Sequence, residues 1–382
     1  MPSYDAIVLG CGGVGSAALY QLARRGLRVL GIDRFPPAHD RGSSHGSTRI
    51  IRQAYFEHPD YVPLLLTAYE LWQQLEREWG RQLFWQTGLL QVGPIDGEVL
   101  PGVLSSARQH SLPVEPLTTD EAMARFPGFR IPQQLAAVFE PKAGSLAVEG
   151  CVRAHLAGAV AAGAELRCGA AVERWELESA GATPGLVRVR VGNETISAAR
   201  LIVTAGPWAA SLLSNLGVEL TIERRVQHWY ASSPEYAATA GCPAYLFELP
   251  DGIFYGFPSF DARGVKVAEH TGTDPVEGPL TLDRNLRASD GPRVERFLQS
   301  HLPGVSTERT AFDVCMYTMS PDQHFIVDSY PGQPQVVFAA GLSGHGFKFT
   351  GVLGRALADL AMQGGTTLPI DFLSLRRLGQ AS

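Results

Sequence analysis

A glycine-rich motif near the start of the chain constrains its fold more than any other feature. The apolar run Tyr4–Leu9 leads directly into GCGGVG, where Gly10, Gly12 and Gly15 satisfy the pattern G-x-G-x-x-G. A helical pattern and a second apolar run, LRVLGI, follow, and Asp33 comes directly after that run. The order strand, glycine turn, helix, strand and acid is typical of the first half of a dinucleotide-binding α/β domain.

Each residue type in this motif has a physical reason to be there. Gly10 permits the tight turn, Gly12 lets the backbone approach a pyrophosphate, and Gly15 lets the helix pack closely on the strand. The helix N-terminus offers free N–H groups to phosphates. Asp33 can accept hydrogen bonds from a ribose, and an acid there argues against a 2′-phosphate. The motif by itself does not separate NAD from FAD.

The rest of the chain indicates a second domain. With 382 residues the chain is too long for a single hydrophobic core. Residues 201–213 and 335–362 each read as a strand, a glycine turn and a helix, so they add pieces to the parallel sheet. Strand signals such as WYASS, AYLFEL and GIFYGF favour a mainly antiparallel sheet elsewhere. The predicted nucleotide-binding domain comprises 1–84, 146–221 and 321–382, and the predicted substrate domain comprises 85–145 and 222–320.

Composition excludes several classes of protein. The net charge is −6 without a basic block, which argues against nucleic acid or an anionic membrane as a partner. No apolar run reaches the roughly 18 residues of a membrane span. Five scattered cysteines without a CxxC pair suggest neither a disulfide framework nor a zinc site, and the histidines form no metal-ligand cluster. Neither terminus carries a targeting signal, so we expect a cytoplasmic protein.

Two arginines and a histidine follow the second strand, in DRGSSHGSTRIIRQAYF. Arg49 and Arg52 are three residues apart, so they would share one face if the segment is helical. Arginine is suited to a bidentate grip on a carboxylate. The ordinary alternative is a solvated helix face, but the segment, which also contains His45, lies next to the predicted cofactor site.

Three further candidates lie in the second half of the chain. Lys348 and His345 belong to the glycine loop GHGFKF, where a cation near a helix start needs an anionic partner. Lys266 lies in the strand-like ARGVKVAEH, with His270 four residues later. The alternatives are a surface charge for the first two and an outward-facing strand residue for Lys266.

Cys315 lies in CMYTMSPDQHFIVD, an alternating strand-like run. Val314, Met316 and Thr318 would face one way, and Cys315 and Tyr317 the other. On pattern alone this is a half-buried strand whose cysteine acts as a small hydrophobic residue.

Along essentially its whole length the chain resembles the monomeric sarcosine oxidase and N-methyltryptophan oxidase family. The likeness is carried, in order, by YDAIVLGCGGVGSAALYQLARRG, GSSHGSTRIIRQAY, GIFYGFPSFDARGVKVAEHTG, CMYTMSPDQHFIVD and FAAGLSGHGFKFTGVLG. The resemblance implies FAD, with a Rossmann-like FAD-binding domain and an α+β substrate domain. It also implies a thioether between the flavin 8α-methyl carbon and Cys315. The family has glutamate where this chain has Asp33, which is also an acceptor.

The resemblance assigns roles to the candidate residues. It places Arg52 and Lys348 on a substrate carboxylate, Tyr255 and Tyr317 beside the substrate, and His270 near its amine. It places His45 and Arg49 near the flavin ring. It also implies that Lys266 promotes the reaction of reduced flavin with oxygen. The expected cofactor contacts are Gly10, Gly12, Gly13, Val14, Gly15, Asp33, Arg34, Ser43, Ser44, His45, Arg49, Ile50, Val172, Cys315, Met316, Gly344, His345, Gly346 and Lys348.

The resemblance implies a monomeric oxidase that takes a small amino acid and oxygen as substrates. A secondary amino acid such as sarcosine would be oxidised to an imine, which hydrolyses to amine and aldehyde, while oxygen becomes hydrogen peroxide. Open alternatives are a flavin dehydrogenase for a cyclic imino acid such as pipecolate or proline, a non-catalytic flavoprotein, and an NAD-dependent dehydrogenase.

Overall fold

The computed structural model describes residues 3–178 and 185–379. The strands in this part of the chain are β1 (Tyr4–Leu9), β2 (Val29–Ile32), β3 (Thr48–Ile51), β4 (Phe84–Trp85), β5 (Leu89–Gly93), β6 (Glu115–Leu117), β7 (Ala136–Glu140), β8 (Gly144–Ala147), β9 (Glu165–Arg167), β10 (Val172–Leu177), β11 (Val187–Val191), β12 (Glu194–Val203), β13 (Thr221–Ser232), β14 (Ala244–Leu249), β15 (Gly252–Phe257), β16 (Val265–Glu269), β17 (Pro275–Val276), β18 (Val305–Met319), β19 (Ile326–Tyr330) and β20 (Gln333–Ala340). The α-helices are α1 (Gly13–Ala23), α2 (Tyr61–Trp79), α3 (Val99–His110), α4 (Thr119–Arg125), α5 (Val148–Ala161), α6 (Ala209–Leu212), α7 (Pro292–His301) and α8 (Thr350–Gln363).

One sheet is built around parallel strands drawn from distant parts of the chain. Its parallel core runs in the order β9, β2, β1, β12 and β20, and β19 adds an antiparallel edge. The β10–β11 hairpin pairs with the first half of β12. Helices α1, α5 and α8 pack together over one face of this sheet. The expected α/β fold with a parallel sheet at the glycine motif is therefore confirmed.

The glycine turn has the geometry that its sequence predicts. Gly10 has φ +88°, and a Cβ there would lie 2.6 Å from the Thr204 carbonyl oxygen. A Cβ on Gly15 would lie 1.7 Å from the Gly10 carbonyl oxygen. Gly10 must therefore adopt a left-handed conformation, and Gly15 must lack a side chain for α1 to approach the turn.

The second sheet has nine strands and is antiparallel except where β14 runs parallel to β5. Its longest pairing joins β13 to β18, with Arg225 opposite Cys315 and Gln227 opposite Asp313. One face packs on α4 and α7 through a cluster of aromatic side chains. The other face carries Tyr255, Lys266 and Cys315, and it meets the loops that follow the parallel strands. The domain boundaries that we expect from the sequence stay a prediction.

No helix in the described ranges is both long enough and apolar enough to cross a membrane.

Candidate active site

A deep cleft opens where the parallel strands of the first sheet end. It contains about 1560 Å³ of space not filled by protein, its mouth included. Its walls come from the ends of β1, β2, β12 and β20 and from the loops that follow them. Those loops contribute residues 9–14, 32–35, 204–208 and 339–342. Ligands of open α/β sheets bind at the carboxyl ends of the strands, and this cleft is in that position.

The end of the cleft nearest to α1 suits a dinucleotide. Gly12, the residue before α1, has no side chain to cap the helix, and the Gly13 N–H donates to Ser44 Oγ at 3.1 Å. A Cβ on Gly12 would have only Ser44 Oγ nearby, at 3.7 Å. The Asp33 carboxylate accepts hydrogen bonds from the backbone N–H groups of Cys11 at 2.7 Å and Phe35 at 2.9 Å. These two N–H groups fix the carboxylate at the end of β2, on the wall of the cleft. The residues present therefore fit the pyrophosphate and ribose of FAD.

The cleft contains most of the predicted cofactor residues. Gly10, Gly12, Gly13, Val14, Asp33, Arg34, Ser43, Ser44, Arg49, Val172, Met316, Gly344 and Gly346 line it. Gly15 lies behind it in the turn, and Ile50, His345 and Lys348 line a smaller neighbouring pocket. His45 and Cys315 are buried close behind Ser43 and Arg49.

A smaller pocket adjoins the cleft and contains about 550 Å³ that protein atoms do not fill, its mouth included. Arg49, Tyr317, Gly344 and Phe347 line both, so the two spaces are neighbours. The remaining walls are Ile50, Arg52, Phe56, Glu57, Leu246, Tyr255, His270, His345 and Lys348. A pocket of this size with several cations suits a small anionic molecule.

Arg52 is only 3% exposed and is held by neighbours in its own segment. Its guanidinium donates two hydrogen bonds to the Glu57 carboxylate, both at 2.7 Å, and one to the Ala54 carbonyl at 3.1 Å. It also lies 4.4 Å from the ring centre of Phe56. Burial alone would raise the pKa of Glu57, but Arg52, His345 and Lys348 lower it to about 2.

Lys348 is a second buried cation in the smaller pocket. Its ammonium donates to the His345 carbonyl at 2.8 Å and lies 5.2 Å from the ring centre of Tyr55. Burial and the neighbouring Arg52 charge lower the pKa of Lys348 to about 7. An anion bound here would offset that cost, because an opposite charge favours the protonated amine.

Two histidines of the pocket are uncharged at neutral pH. Burial is the main cause that lowers the pKa of His270 to about 4 and that of His345 to about 3. His270 Nδ1 is 3.2 Å from the Tyr317 hydroxyl, and His345 Nε2 is 3.1 Å from the Gln323 carbonyl. Both can therefore act as neutral hydrogen-bonding groups.

Lys266 is buried at the junction of β16 and the loop before β3. Its ammonium donates to the Gly46 carbonyl at 2.6 Å and the Thr48 carbonyl at 2.9 Å. Its side chain is 2% exposed and lies beside the rings of Trp229 and Phe257, so the outward-facing alternative is wrong. Burial and Arg49 hold the pKa of Lys266 well below its ordinary value.

Cys315 lies between charged groups on the inner face of β18. Arg49 Nη2 is 3.4 Å from the sulphur, and the Ser43 carbonyl accepts from the thiol at 3.6 Å. Burial raises the pKa of the Cys315 thiol, but His45 and Arg49 outweigh burial and lower it to about 7. The alternation expected for this strand is confirmed, since Val314 and Met316 pack on Ile222 on the opposite face.

The sequence left open whether the segment with Arg49 and Arg52 is helical, and in the structure it is not. Residues 48–51 form β3, which pairs with β8, and Arg52 follows directly. The two guanidinium groups reach the same pocket because the chain turns after β3. A strand also explains the Ile50-Ile51 pair, since β-branched residues favour strands.

The residues that sequence reasoning missed include Phe56, Glu57, Leu246, Phe347 and Asp313. Glu57 could have been found, because an acid five residues after Arg52 in the same segment is a natural ion-pair partner. Leu246 lies in a segment that was predicted as a strand, and its position in the pocket depends on how β14 packs. Asp313 could not be identified from the sequence, because it matters through its ion pair with His45, which is far away in the sequence.

Within the described part of the chain, no group of three or more histidine, cysteine or acidic side chains is placed to hold a metal ion. The five cysteines are all free.

Comparison with known proteins agrees with this architecture. Residues 5–360 match the family model described as FAD dependent oxidoreductase. The chain is 39% identical to the monomeric sarcosine oxidase of Arthrobacter sp. (strain TE1826), covering 98% of this chain and 96% of that protein. It is 39% identical to the N-methyl-L-tryptophan oxidase of Yersinia pestis (strain Pestoides F), covering 98% and 99% of the two chains.

A solved structure extends the comparison to three dimensions. NikD, an unusual amino acid oxidase essential for nikkomycin biosynthesis, superposes in its open form with a TM-score of 0.84 at 26% identity, and the match covers 98% of each chain. The match to the family model, the two relatives and this likeness agree over nearly the whole chain. The chain therefore belongs to the FAD-dependent oxidoreductase family, in the group that contains monomeric sarcosine oxidases and N-methyl-L-tryptophan oxidases.

Proposed function

We propose that this protein oxidises a small secondary amino acid, such as sarcosine or a related N-methyl amino acid, and passes the electrons to oxygen. The products would be an imine, which hydrolyses to amine and aldehyde, and hydrogen peroxide. The observation that carries the proposal is the small cationic pocket beside the dinucleotide cleft. It is lined by the cations Arg52 and Lys348 and by the neutral groups His270, Tyr255 and Tyr317.

FAD, when bound, supplies the two-electron redox chemistry. The Gly10–Gly15 turn and Asp33 would hold its pyrophosphate and ribose. The residues common to the cleft and the pocket, Arg49 and Tyr317 among them, would hold its ring beside the substrate.

Arg52 and Lys348 would bind the substrate carboxylate and so fix the position of the N-methyl group. Glu57 accepts two hydrogen bonds from the Arg52 guanidinium. A substrate carboxylate would therefore share Arg52 with Glu57 or displace it. Orienting the reacting carbon in this way removes much of the entropic cost of the reaction.

The amine would react in its neutral form, because a protonated nitrogen has no lone pair to assist cleavage of the C–H bond. Fixed cations lower the pKa of a bound amine. Arg49, Arg52 and Lys348 supply such charge, whereas His270 adds none because its pKa is lowered to about 4, mainly by burial. His270 and the Tyr317 hydroxyl would hydrogen-bond near the amine.

Lys266 would assist the reaction with oxygen by placing a positive charge where negative charge develops. Its carbonyl partners fix the ammonium in position before any reaction occurs. Cys315 would carry the flavin covalently, through its sulphur and the flavin 8α-methyl carbon. The low thiol pKa beside Arg49 and His45 supports that role, because a thiolate is the nucleophile.

The experiment that tests this function has two parts. Purified protein is precipitated with acid, and the yellow absorbance should stay in the pellet for the wild type and move to the supernatant for Cys315→Ser. The enzyme is then supplied with sarcosine, other N-methyl amino acids, proline and pipecolate, and peroxide release is measured. Peroxide with N-methyl amino acids is the expected result. Dye reduction without peroxide would instead establish a dehydrogenase.

A further inference from the structure

Asp313, His45 and Cys315 lie close to Ser43 and Arg49, behind the wall of the cleft. Asp313 and Cys315 are two residues apart on β18, so their side chains lie on the same face of the strand. His45 Nδ1 lies 3.6 Å from the Asp313 carboxylate. His45 is 2% exposed, and neither ring nitrogen has a partner at ordinary hydrogen-bond distance among the described residues.

We propose that Asp313 is a positioning residue that orients His45 and keeps a proton on it, so that Cys315 rests as a thiolate ready for flavin attachment. This inference rests on the covalent attachment in the proposed function. It assigns a role to Asp313, which lies outside both pockets and would not touch the substrate. His45 is the ion-pair partner of the Asp313 carboxylate in the described residues.

Several positively charged side chains surround Cys315, and they disfavour a further positive charge on His45 unless an anion lies beside it. Arg49 approaches the sulphur from β3, Lys266 lies nearby on β16, and Arg225 lies opposite on β13. Arg284 donates to the carbonyl of Val314, the residue before Cys315, at 3.2 Å. The remaining titratable neighbours are Tyr255, Tyr317 and Glu149, and Glu149 accepts a hydrogen bond from the Gly46 N–H.

A protonated His45 among so many cations needs a carboxylate beside it, and Asp313 provides one.

The pKa values agree with the geometry. Burial lowers the pKa of His45, but Cys315 and Asp313 outweigh burial and raise it to about 9. Burial raises the pKa of Asp313, and His45, Lys266 and Arg49 lower it overall. At neutral pH the Cys315 proton would therefore reside on the His45 imidazole.

The attachment itself balances with oxygen as the oxidant. The Cys315 thiolate forms one carbon–sulphur bond to the flavin 8α carbon, which loses a proton. Bound FAD would supply the redox chemistry, so that the two electrons released would reach molecular oxygen, which would take up two protons and leave as hydrogen peroxide. His45 and Asp313 take no electrons and act only on the thiol proton.

The test uses the full chain prepared without flavin from riboflavin-starved cells. Ultraviolet thiolate absorbance is titrated against pH, and the Cys315 signal is isolated by subtracting the trace of Cys315→Ser. Asp313→Asn should raise the Cys315 midpoint by about one pH unit, equivalent to about tenfold less thiolate below the midpoint. Asp313→Glu should restore it, and Glu308→Gln, an exposed acid on the same strand, should leave it unchanged. An Asp313→Asn midpoint equal to that of the wild type would overturn the proposal.

A second readout separates positioning from folding. FAD is added to the flavin-free chains, and colour in the acid pellet is followed over time at several pH values. Asp313→Asn should attach flavin about tenfold more slowly below the thiol midpoint and at the wild-type rate well above it. Slowing by the same factor at every pH would indicate a structural defect and refute the role. If Asp313→Asn does not fold, Asp313→Ser and His45→Asn provide the same comparison.

Failure of the proposed function has a different signature. If wild-type protein never retains colour in the pellet, covalent attachment is refuted, whatever the Asp313 variants do. If wild-type protein retains colour and all variants match it at every pH, attachment is correct and the role of Asp313 is refuted.

Discussion

The Arg52 guanidinium donates two hydrogen bonds to the Glu57 carboxylate, and this ion pair lies in the wall of the small pocket. Both side chains are largely buried, at 4% and 15% exposure. A buried charge that loses its partner is costly, so Arg52 should always have an anion beside it. Glu57 is that anion, so any carboxylate bound in the pocket would compete with Glu57 for Arg52.

Glu57→Gln should therefore tighten the binding of simple carboxylates. Without Glu57, an acetate-class ligand no longer competes with a carboxylate among the described residues that line this pocket. We expect the dissociation constant to fall by about tenfold, equivalent to about 1.4 kcal/mol. Titration followed by flavin absorbance measures it, with Asp60→Asn, an exposed acid of the same segment, as the control. Equal affinity in wild type and Glu57→Gln would show that Glu57 does not compete.

Carboxylate affinity should also depend on pH through Lys348. The pKa of this ammonium is lowered to about 7, mainly by burial. Its positive charge is therefore complete below that pH and is lost as the pH rises through it. We expect affinity to weaken above pH 7, by up to about tenfold per pH unit. Lys348→Met should bind weakly with a flat profile, and a flat wild-type profile would remove Lys348 from the clamp.

Lys266→Met should separate the two halves of the catalytic cycle. We expect anaerobic reduction of the flavin by substrate to stay close to the wild-type rate. Reoxidation by oxygen should slow by about a hundredfold, the usual cost of losing one fixed electrostatic donor. Stopped-flow absorbance measures both steps, with Lys142→Met, an exposed lysine, as the matched control. Equal slowing of reduction and reoxidation would contradict the assigned role.

Phe56 should limit the size of the substrate side chain. Phe56 lines the small pocket. Its backbone packs closely against Gly102, where a Cβ would lie 2.7 Å from Phe56, so this contact limits movement of Phe56 away from the pocket. Phe56→Ala should raise kcat/KM for bulky N-methyl amino acids relative to sarcosine by about tenfold or more. Peroxide release with both substrate classes measures the ratio. Phe312→Ala, which removes an exposed ring on β18, should leave it unchanged, and an unchanged ratio in Phe56→Ala would refute the steric role.

The sequence determined the features that depend on local geometry. The glycine turn could be predicted residue by residue, because φ at Gly10 and the missing Cβ at Gly15 are set within one short segment. The alternation around Cys315 was predictable for the same reason, since a strand repeats every two residues.

Only the tertiary structure decided which distant residues meet. The sequence left Lys266 either outward-facing or functional, and burial beside the Gly46 and Thr48 carbonyls, from another part of the chain, resolved the choice. The sequence did not settle whether Arg49 and Arg52 lie on a helix, and the pairing of β3 with β8 decided that Arg49 lies on a strand. Asp313 acquires its partner His45 only when β18 packs against the loop before β3. Local backbone preferences act over a few residues, whereas ion pairs and pocket walls form between segments that only the packing of two sheets brings together.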